Sequence, residues 1–567
     1  MHRVPLHRLF RGSLMLIAAL SVACASPAPP AAPAAPAAGG GEAAAPVKPK
    51  VDRVVIAFRG LAAESATPRQ VCCFDAYQFR PTHESLVSVD PKNGQPNRPN
   101  VATDWKLDET ANTVTFNLRK GVKFHFDYPD LNAKDVVYSL ESLELNDPPA
   151  SASMNNWVVG WWRPFIKSAV AKSDTQVEFN VVPQAQFWYF FSDAFAQLPI
   201  RSKGQFDKEG EGKTPEAKGS AGTGPYQWKE RKTSSYMRVE RTPYKHWRAT
   251  PDFPELEIRF INEPSTRMAG LVTGEIHITD VPSDLMPQAE KAGMKRIENQ
   301  ALGPKVMGTF ICCFPDVTTK QFPKAPEVPL MDVRVREALN HAVNRDELGK
   351  AFAPRRQPMP LTHYAPSRPA WDPAYEAKFN DKYGFSPDRA KALLAEAGYT
   401  AAKPLEIDMF PSQLAYIANG PDINDAVAGY FRNVGVKVNY VQMDQATFNT
   451  QRNAGKFRNM VWMNSIGGNQ LDGLTIWNLA GSGSAPASYL NQEVYNLRDE
   501  INKIMDPEKQ VSVLKKIGDF GFNNYWDIPL WYVPLEVMIN PKIVENWTYP
   551  GTVNGGWSHF ENISAAK

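Results

Sequence analysis

The stretch His83–Leu143 reads HESLVSVDPKNGQPNRPNVATDWKLDETANTVTFNLRKGVKFHFDYPDLNAKDVVYSLESL, and its local structure follows almost residue by residue. Trp105–Leu107 and Thr113–Leu118 read as two strands around the turn-forming run Asp108–Asn112. In the second, Val114, Phe116 and Leu118 fall on one face and Thr113, Thr115 and Asn117 on the other. Such alternation marks a half-buried strand. Gly121 then breaks the chain, and Asn132 stands as the N-cap of a helix with Asp135 in its first turn, where the helix dipole favours an acid. Val136, Leu140 and Leu143 follow at helical spacing and predict a buried stripe.

The succession HESLV, PNVATDW, TFNLRKGVKFH and NAKDVVYSLESL resembles family 5 of the extracellular solute-binding proteins, the peptide- and nickel-type receptors that feed ABC importers. Four separate segments share the family's order and spacing. At His125-Phe126-Asp127-Tyr128-Pro129 the chain leaves the family's H-x-D-G turn, so that loop is expected to be locally rebuilt. The resemblance implies an α/β, two-lobed periplasmic-binding-protein-like fold (type II) with an extra subdomain in the first lobe. It divides the chain into a signal peptide (1–24), an Ala/Pro-rich linker (25–50), lobe I (51–80, 221–307 and 512–567), a subdomain of lobe I (81–220) and lobe II (308–511).

Bulk properties fit that division. A chain of 567 residues is too long for one core. Its 63 basic and 60 acidic residues leave a formal charge of +3 with no basic block, which argues against a nucleic-acid partner. The aromatic side chains belong mostly to cores, the remainder being available to a cleft wall.

Arg3, Arg8 and Arg11 precede the apolar run Leu14–Leu20, the pattern of a secretory signal peptide. The run is shorter than the roughly 18 apolar residues of a membrane-spanning helix. Ser21-Val22-Ala23-Cys24 resembles a lipobox in which Cys24 is lipidated, although Ser21 replaces the usual Leu; the rival is ordinary cleavage at Ala23-Cys24-Ala25. The Ala/Pro/Gly-rich stretch that follows cannot pack a core and reads as a semi-rigid spacer. The expected location is therefore periplasmic or extracytoplasmic, anchored to the membrane as a lipoprotein.

Further along, Val51–Phe58 reads as the first strand of the body, Val177–Val182 as another, and Phe187–Phe191 as a buried run or cleft wall. Gly222-Thr-Gly-Pro-Tyr226 is a turn feeding a strand and is similar to a family segment where the chain returns to the first lobe. Pro264–Asp280 reads as a helix followed by a strand, and Leu330–Leu348 as one helix carrying Val335, Ala338, Leu339, Ala342 and Val343 on one face. His341 within it has no second histidine at ligand spacing and reads as a satisfied residue. Ser386, Pro387 and Gly398 bracket a helix, and Val427–Val434, Gly435 and Val436–Tyr440 form a helix–stop–strand unit. The aromatic strand Pro529–Pro534 is expected, by the resemblance, to return to the first lobe.

With Cys24 set aside, four cysteines remain as two adjacent pairs, Cys72-Cys73 and Cys312-Cys313. An even count in an oxidising compartment argues for disulfides, with three connectivities open. A vicinal bridge in each pair, or a thiolate site for a soft metal, are the alternatives.

Catalytic signatures are missing. There is no H-E-x-x-H and no G-x-S-x-G; Gly212-Lys213-Thr214 lacks the upstream glycine of a phosphate loop, and Ser482 and Ser484 read as loop punctuation. No enzyme, cofactor or resident metal is expected. The resemblance places the ligand-binding residues in the loop Cys72, Cys73 and Phe74, at Cys313, and along Trp462, Asn464, Asp472 and Trp477. Peptide-binding relatives hold the ligand amine with an acid in that last region. Here Asp472 is its one acid, and Pro411-Ser412-Gln413 stand where dipeptide receptors carry an arginine. The expected ligand is thus a longer peptide or another small polar or aromatic solute, taken up by hinge closure. Delivery would be to ABC permease subunits with a separate ATPase, by a monomer tethered to the membrane. A secreted enzyme or a cell-surface interaction protein on the same scaffold is the competing reading.

Overall fold

The structure is a computed structural model that describes residues 48–567, except for 62, 72, 93, 95–97, 145–165, 183–197, 313–323, 326, 363, 367, 413, 415–419, 467–491, 502, 505 and 552–556. Among the described residues, three sheets organise the body. The first has seven strands and is built around Arg53–Phe58, which runs parallel to both Glu255–Phe260 and Ile278–Thr279. Its sequence, V-V-I-A-F after Arg53, is buried on both faces, as a central parallel strand requires. The antiparallel strands Tyr226–Lys232 and Tyr236–Arg241 extend one side, and Glu536–Ile539 and Lys295–Glu298 the other.

The second sheet has six strands. Lys305–Ile311 lies between Asp527–Tyr532 and Met460–Ile466, which continues to Glu406–Phe410 and Lys437–Tyr440. Helices flank it. Val335, Ala338, Leu339, Ala390, Leu393, Val427 and Phe431 all enter one large core cluster. The third sheet, four strands from Ala102–Asp108 to Gln176–Val181, forms the subdomain and carries its own core.

The opening stretch folds as its pattern dictates. Thr113–Leu118 is a strand with Val114, Phe116 and Leu118 buried. Asn132 and Asp135 form a reciprocal capping box: the Lys134 amide donates to Asn132 Oδ1 and the Asn132 amide to Asp135 Oδ2, both at 2.9 Å. The rebuilt loop is a tight turn in which Phe126 and Asp127 both adopt positive φ, 61° and 58°. Its His125 is fully buried and bonds through Nε2 to the Gly224 carbonyl at 2.9 Å. The G-T-G-P segment lies flat on the backbone of Pro81–His83. A Cβ on Gly224 would come within 2.6 Å of the Pro81 oxygen.

Two expectations are corrected. Pro529–Pro534 does not return to the first lobe: Asp527–Tyr532 pairs with Lys305–Thr309 in the six-stranded sheet, and the chain crosses only at Val533–Leu535. All six residues of this strand are buried, so it needs neighbours on both sides, which Lys305–Ile311 and Gln357–Pro358 provide. Pro529, which has no amide to donate, falls where the register shifts between Val306 and Met307. The single helix expected over Leu330–Leu348 is two, Val333–Ala342 and Arg345–Phe352. Val343 is extended between them, and Asn344 caps the second by accepting from the Glu347 amide. Arg345 makes the break tolerable by donating to the carbonyls of Asn340 and Tyr383, at 3.0 and 2.9 Å.

Where the subdomain meets the first lobe, Arg248 is clamped between Glu84 (2.7 Å) and Glu561 (2.5 Å). Burial alone would raise the Glu561 carboxyl, but the Arg248 charge prevails and holds it at about 2. Burial holds His83 and His246 below the ordinary imidazole range and takes His125 down to about 4.

Candidate functional site

Parallel strands all deliver their carboxyl ends to one edge of a sheet, and ligands of open α/β sheets bind beyond that edge. In the seven-stranded sheet those ends lead into Arg59, Asn262 and Asp280; in the six-stranded sheet, Glu406–Phe410 leads into Ser412 and Leu414. The two edges face each other across a cavity of about 460 Å³, lined from one side by Arg59, Asn262, Arg267, Asp280, Met286 and Trp557. Phe352–Arg356 and Leu414 line it from the other side, and Val533–Glu536 close its floor.

Two segments join the lobes. Residues 299–304 link Lys295–Glu298 to Lys305–Ile311, and 533–535 link Asp527–Tyr532 to Glu536–Ile539. They are bonded to each other: the Val533 amide donates to Pro304 O (2.9 Å), the Asn299 amide to Leu535 O (3.0 Å), and the Leu535 amide to Asn299 Oδ1 (2.7 Å). A pair of short crossing segments under a cleft is the geometry of a hinge.

The cavity wall is prepared by packing. Trp557 stacks on Phe58 with ring centroids 4.0 Å apart and meets the edge of Tyr77 at 5.9 Å. Arg267 is a buried strut: Nη1 donates to the Ile261 and Asn262 carbonyls at 2.7 and 2.9 Å, and Nε lies 3.1 Å from Asp280 Oδ1. Burial pushes the Asp280 carboxyl above its ordinary range, against the pull of Arg267. At the floor, Glu536 receives Arg355 Nε at 2.8 Å and Arg296 Nη1 at 3.4 Å. Burial raises its carboxyl too, opposed by those two guanidinium groups. Arg355 also pairs with Glu298, so this one side chain of the second lobe binds two carboxylates of the first.

The residues singled out from sequence lie elsewhere or outside the described residues. Trp462, in Met460–Ile466, is half-buried in a cluster with Phe410, Phe448 and Phe457, its ring 5.3 Å from Phe448 and under the Arg452 guanidinium. Asn464 sits opposite Met307 on the same strand. Neither lines the cavity described above. Cys73 and Phe74 begin the turn Cys73–Phe79, and their side chains are outside the described residues. So are Cys24, Cys72, Cys313, Asp472, Trp477 and the Phe187–Phe191 run. Among the described residues, no group of three or more His, Cys, Asp and Glu side chains is placed to hold a metal ion. His341 is satisfied, with Nδ1 2.6 Å from the Gly384 carbonyl. Sequence reading missed Arg59, Asp280, Arg355 and Arg356. The available signal was position: Arg59 and Asp280 each directly follow a strand.

Comparison with known proteins agrees with this geometry. The profile of "bacterial extracellular solute-binding proteins, family 5 Middle" matches residues 97–486. The dipeptide-binding protein of Escherichia coli (strain K12) is 26% identical over 490 residues, covering 82% of this chain and 86% of the relative. The heme-binding protein A of Haemophilus influenzae is 25% identical over 380 residues, 63% of this chain and 64% of the relative. Among solved structures, the periplasmic binding protein DppA of Helicobacter pylori in complex with the peptide STSA superposes with a TM-score of 0.69 at 19% identity, covering 91% of this chain and 98% of that one. NikA of Brucella suis in complex with Fe(III)-EDTA gives 0.69 at 18% identity, over 90% and 99%. The fold is thus the two-lobed type II binding-protein fold. The chain belongs to family 5 of the bacterial extracellular solute-binding proteins, and its role is that of a substrate-binding receptor for an ABC importer.

Proposed function

We propose that the receptor takes a short peptide or a compact organic solute into the cavity between its lobes, closes about the crossings 299–304 and 533–535, and presents the closed form to the permease. The observation that carries this reading is the cavity itself, set between the carboxyl ends of two sheets and floored by two hydrogen-bonded crossings. Relatives named for dipeptides, heme and nickel are consistent with a scaffold whose ligand is chosen by loops. Closure strips water from the solute, so binding draws on the apolar wall and on charges already fixed in the cleft.

Several finer assignments belong to the same reading. Lobe I comprises 51–80, 221–304 and the chain from 533 onward, with 81–220 as its subdomain, and lobe II comprises 305–532; sheet membership supports this division. The Cys72–Phe74 loop and the segment carrying Asp472 and Trp477 follow strands of the two central sheets and would complete the site. A cystine linking the two cysteine pairs, in preference to a vicinal bridge or a thiolate metal site, belongs to the same reading, and the full burial of Cys312 supports it. Lipid on Cys24 and the spacer behind it would tether a non-enzymatic monomer outside the membrane. No helix among the described residues is long and apolar enough to cross one.

Native mass spectrometry of the protein released from its own envelope tests the proposal. One small solute per chain is expected, with a lipid-bearing N-terminus and oxidised cysteines, and re-adding that solute to stripped protein raises the melting temperature. A chain that carries no solute and is not stabilised by any peptide or organic solute offered, or that turns one over chemically, would count against it.

A further inference from the structure

The ions that line the cavity are committed to partners within the protein. Among the described residues, Arg267 donates to the Ile261 and Asn262 carbonyls and stands 3.1 Å from Asp280 Oδ1. Arg296 joins Glu290 at 2.5 Å and Glu536 at 3.4 Å. Arg355 crosses from the second lobe to Glu298 and Glu536 of the first. Arg356 is folded back on its own lobe: it lies across Gly349, where even a Cβ would collide with it, and pairs with Asp346 at 3.2 Å. Arg59 is engaged as well, its charge drawing the Asp280 carboxyl down.

A charged solute group would have to displace one of these partners. An anion on Arg355 would take it from Glu536, which is 9% exposed, and leave that carboxylate to Arg296 alone. It would also undo the contact between the lobes, so that binding and closure would oppose each other. A cation on Asp280 would face Arg267, which cannot turn away without abandoning two backbone carbonyls. Breaking a buried pair leaves an uncompensated charge behind, which is strongly unfavourable. An uncharged group meets no such penalty. Between the ions the wall is apolar, with Val281, Met286, Phe352, Leu414, Leu535 and Trp557. Its volume of about 460 Å³ lies in the range of small-molecule sites.

We propose that the solute is uncharged, a compact apolar or aromatic body held by the hydrophobic part of the wall, and that the ion pairs around it serve closure instead of recognition. This rests on the reading of the interlobe cavity as the ligand site. Of the two solute classes in that reading it selects the compact organic solute over the short peptide, whose free termini would bring two charges into a wall where the ions are already paired.

Two matched pairs of fluorescent probes test it on the full chain. Phenylnaphthylamine and anilinonaphthalene sulfonate differ in a sulfonate; N-pentyl dansyl amide and dansylcadaverine differ in a terminal ammonium. The neutral member of each pair should bind saturably at one per chain, about tenfold or more tighter than its charged twin. In Glu536→Gln, Arg355 and Arg296 lose the carboxylate they share, and the affinity ratio within the first pair should shift toward the sulfonate. The ratio cancels any change in closure that both probes feel, and saturable binding of the neutral probe shows that the variant is folded. A charged twin that binds as tightly as its neutral partner in the wild-type chain, or an unchanged ratio in folded Glu536→Gln, would overturn the proposal and leave the cavity standing as a ligand site. Failure of all four probes to bind saturably would refute the cavity as a ligand site, and the proposal with it.

Discussion

Replacing Arg355 by glutamine is expected to loosen the closed arrangement of the lobes. Arg355 belongs to the second lobe and reaches Glu298 and Glu536 on two strands of the first. The Glu298 pair is exposed on both sides, 42% and 44%, and is worth roughly 0.2–1 kcal/mol. The Glu536 carboxylate is only 9% exposed and takes Arg355 Nε at 2.8 Å, a charge-assisted bond of about 1.5–3 kcal/mol in full. Arg296 keeps Glu536 paired when Arg355 is lost, so only part of that value disappears. A net loss of about 1–2 kcal/mol lowers the ratio of closed to open chains roughly 5- to 30-fold. Pulsed dipolar spectroscopy between spin-labelled unnatural residues at Lys291 and Lys391, exposed positions on opposite lobes, reads the two populations directly. The solute-free variant should show a longer mean distance and a weaker apparent affinity, because fewer molecules occupy the binding-competent state. An unchanged distance distribution and affinity in Arg355→Gln would refute the argument.

Other consequences follow from the scaffold. Asn132→Ala removes one arm of a capping box and should cost about 1 kcal/mol in thermal or denaturant unfolding, with solute affinity unchanged because the helix lies in the subdomain. Gly224→Ala forces a methyl group against the Pro81 carbonyl and should destabilise by roughly 1–3 kcal/mol, measured by the same unfolding curves. His125 is held neutral by burial, its pKa about 4 in the fold against 6.5 in the unfolded chain, with His246 adding repulsion. A depressed histidine pKa means that the unfolded chain takes up the proton first. Stability is therefore full above about pH 6.5, falls as pH drops toward 4, and loses up to about 3 kcal/mol from this group. Melting curves between pH 7 and 4 should be flatter for His125→Gln than for the native chain.

The parts of this molecule that could be read from sequence are those whose causes are local. Alternation at Val114, Phe116 and Leu118, the Asn132–Asp135 box, and the stop at Gly398, with φ of 90°, each depend on a few neighbouring residues. What failed depended on distant partners. The Asn344–Glu347 cap is a local mark of the second helix, but the break before it is stabilised from a distance, by Arg345 reaching the carbonyl of Tyr383. Asp527–Tyr532 has the composition of a buried strand for either lobe, and only its pairing with Lys305–Thr309 decides between them. The cavity was hidden for the same reason. Arg59, Asp280, Arg355 and Glu536 are separated by tens to hundreds of residues and meet only once both sheets are built. Trp462 stood out as an aromatic in a promising region, but its ring packs on Phe448 under Arg452.

The account turns on closure of two lobes over a solute, and solution X-ray scattering of the full chain measures that directly. Protein stripped of the solute that co-purifies from its own envelope should be larger in radius of gyration and maximum dimension. It should contract when that solute is restored at one per chain. Superimposable scattering curves for the stripped and the loaded protein would contradict the account.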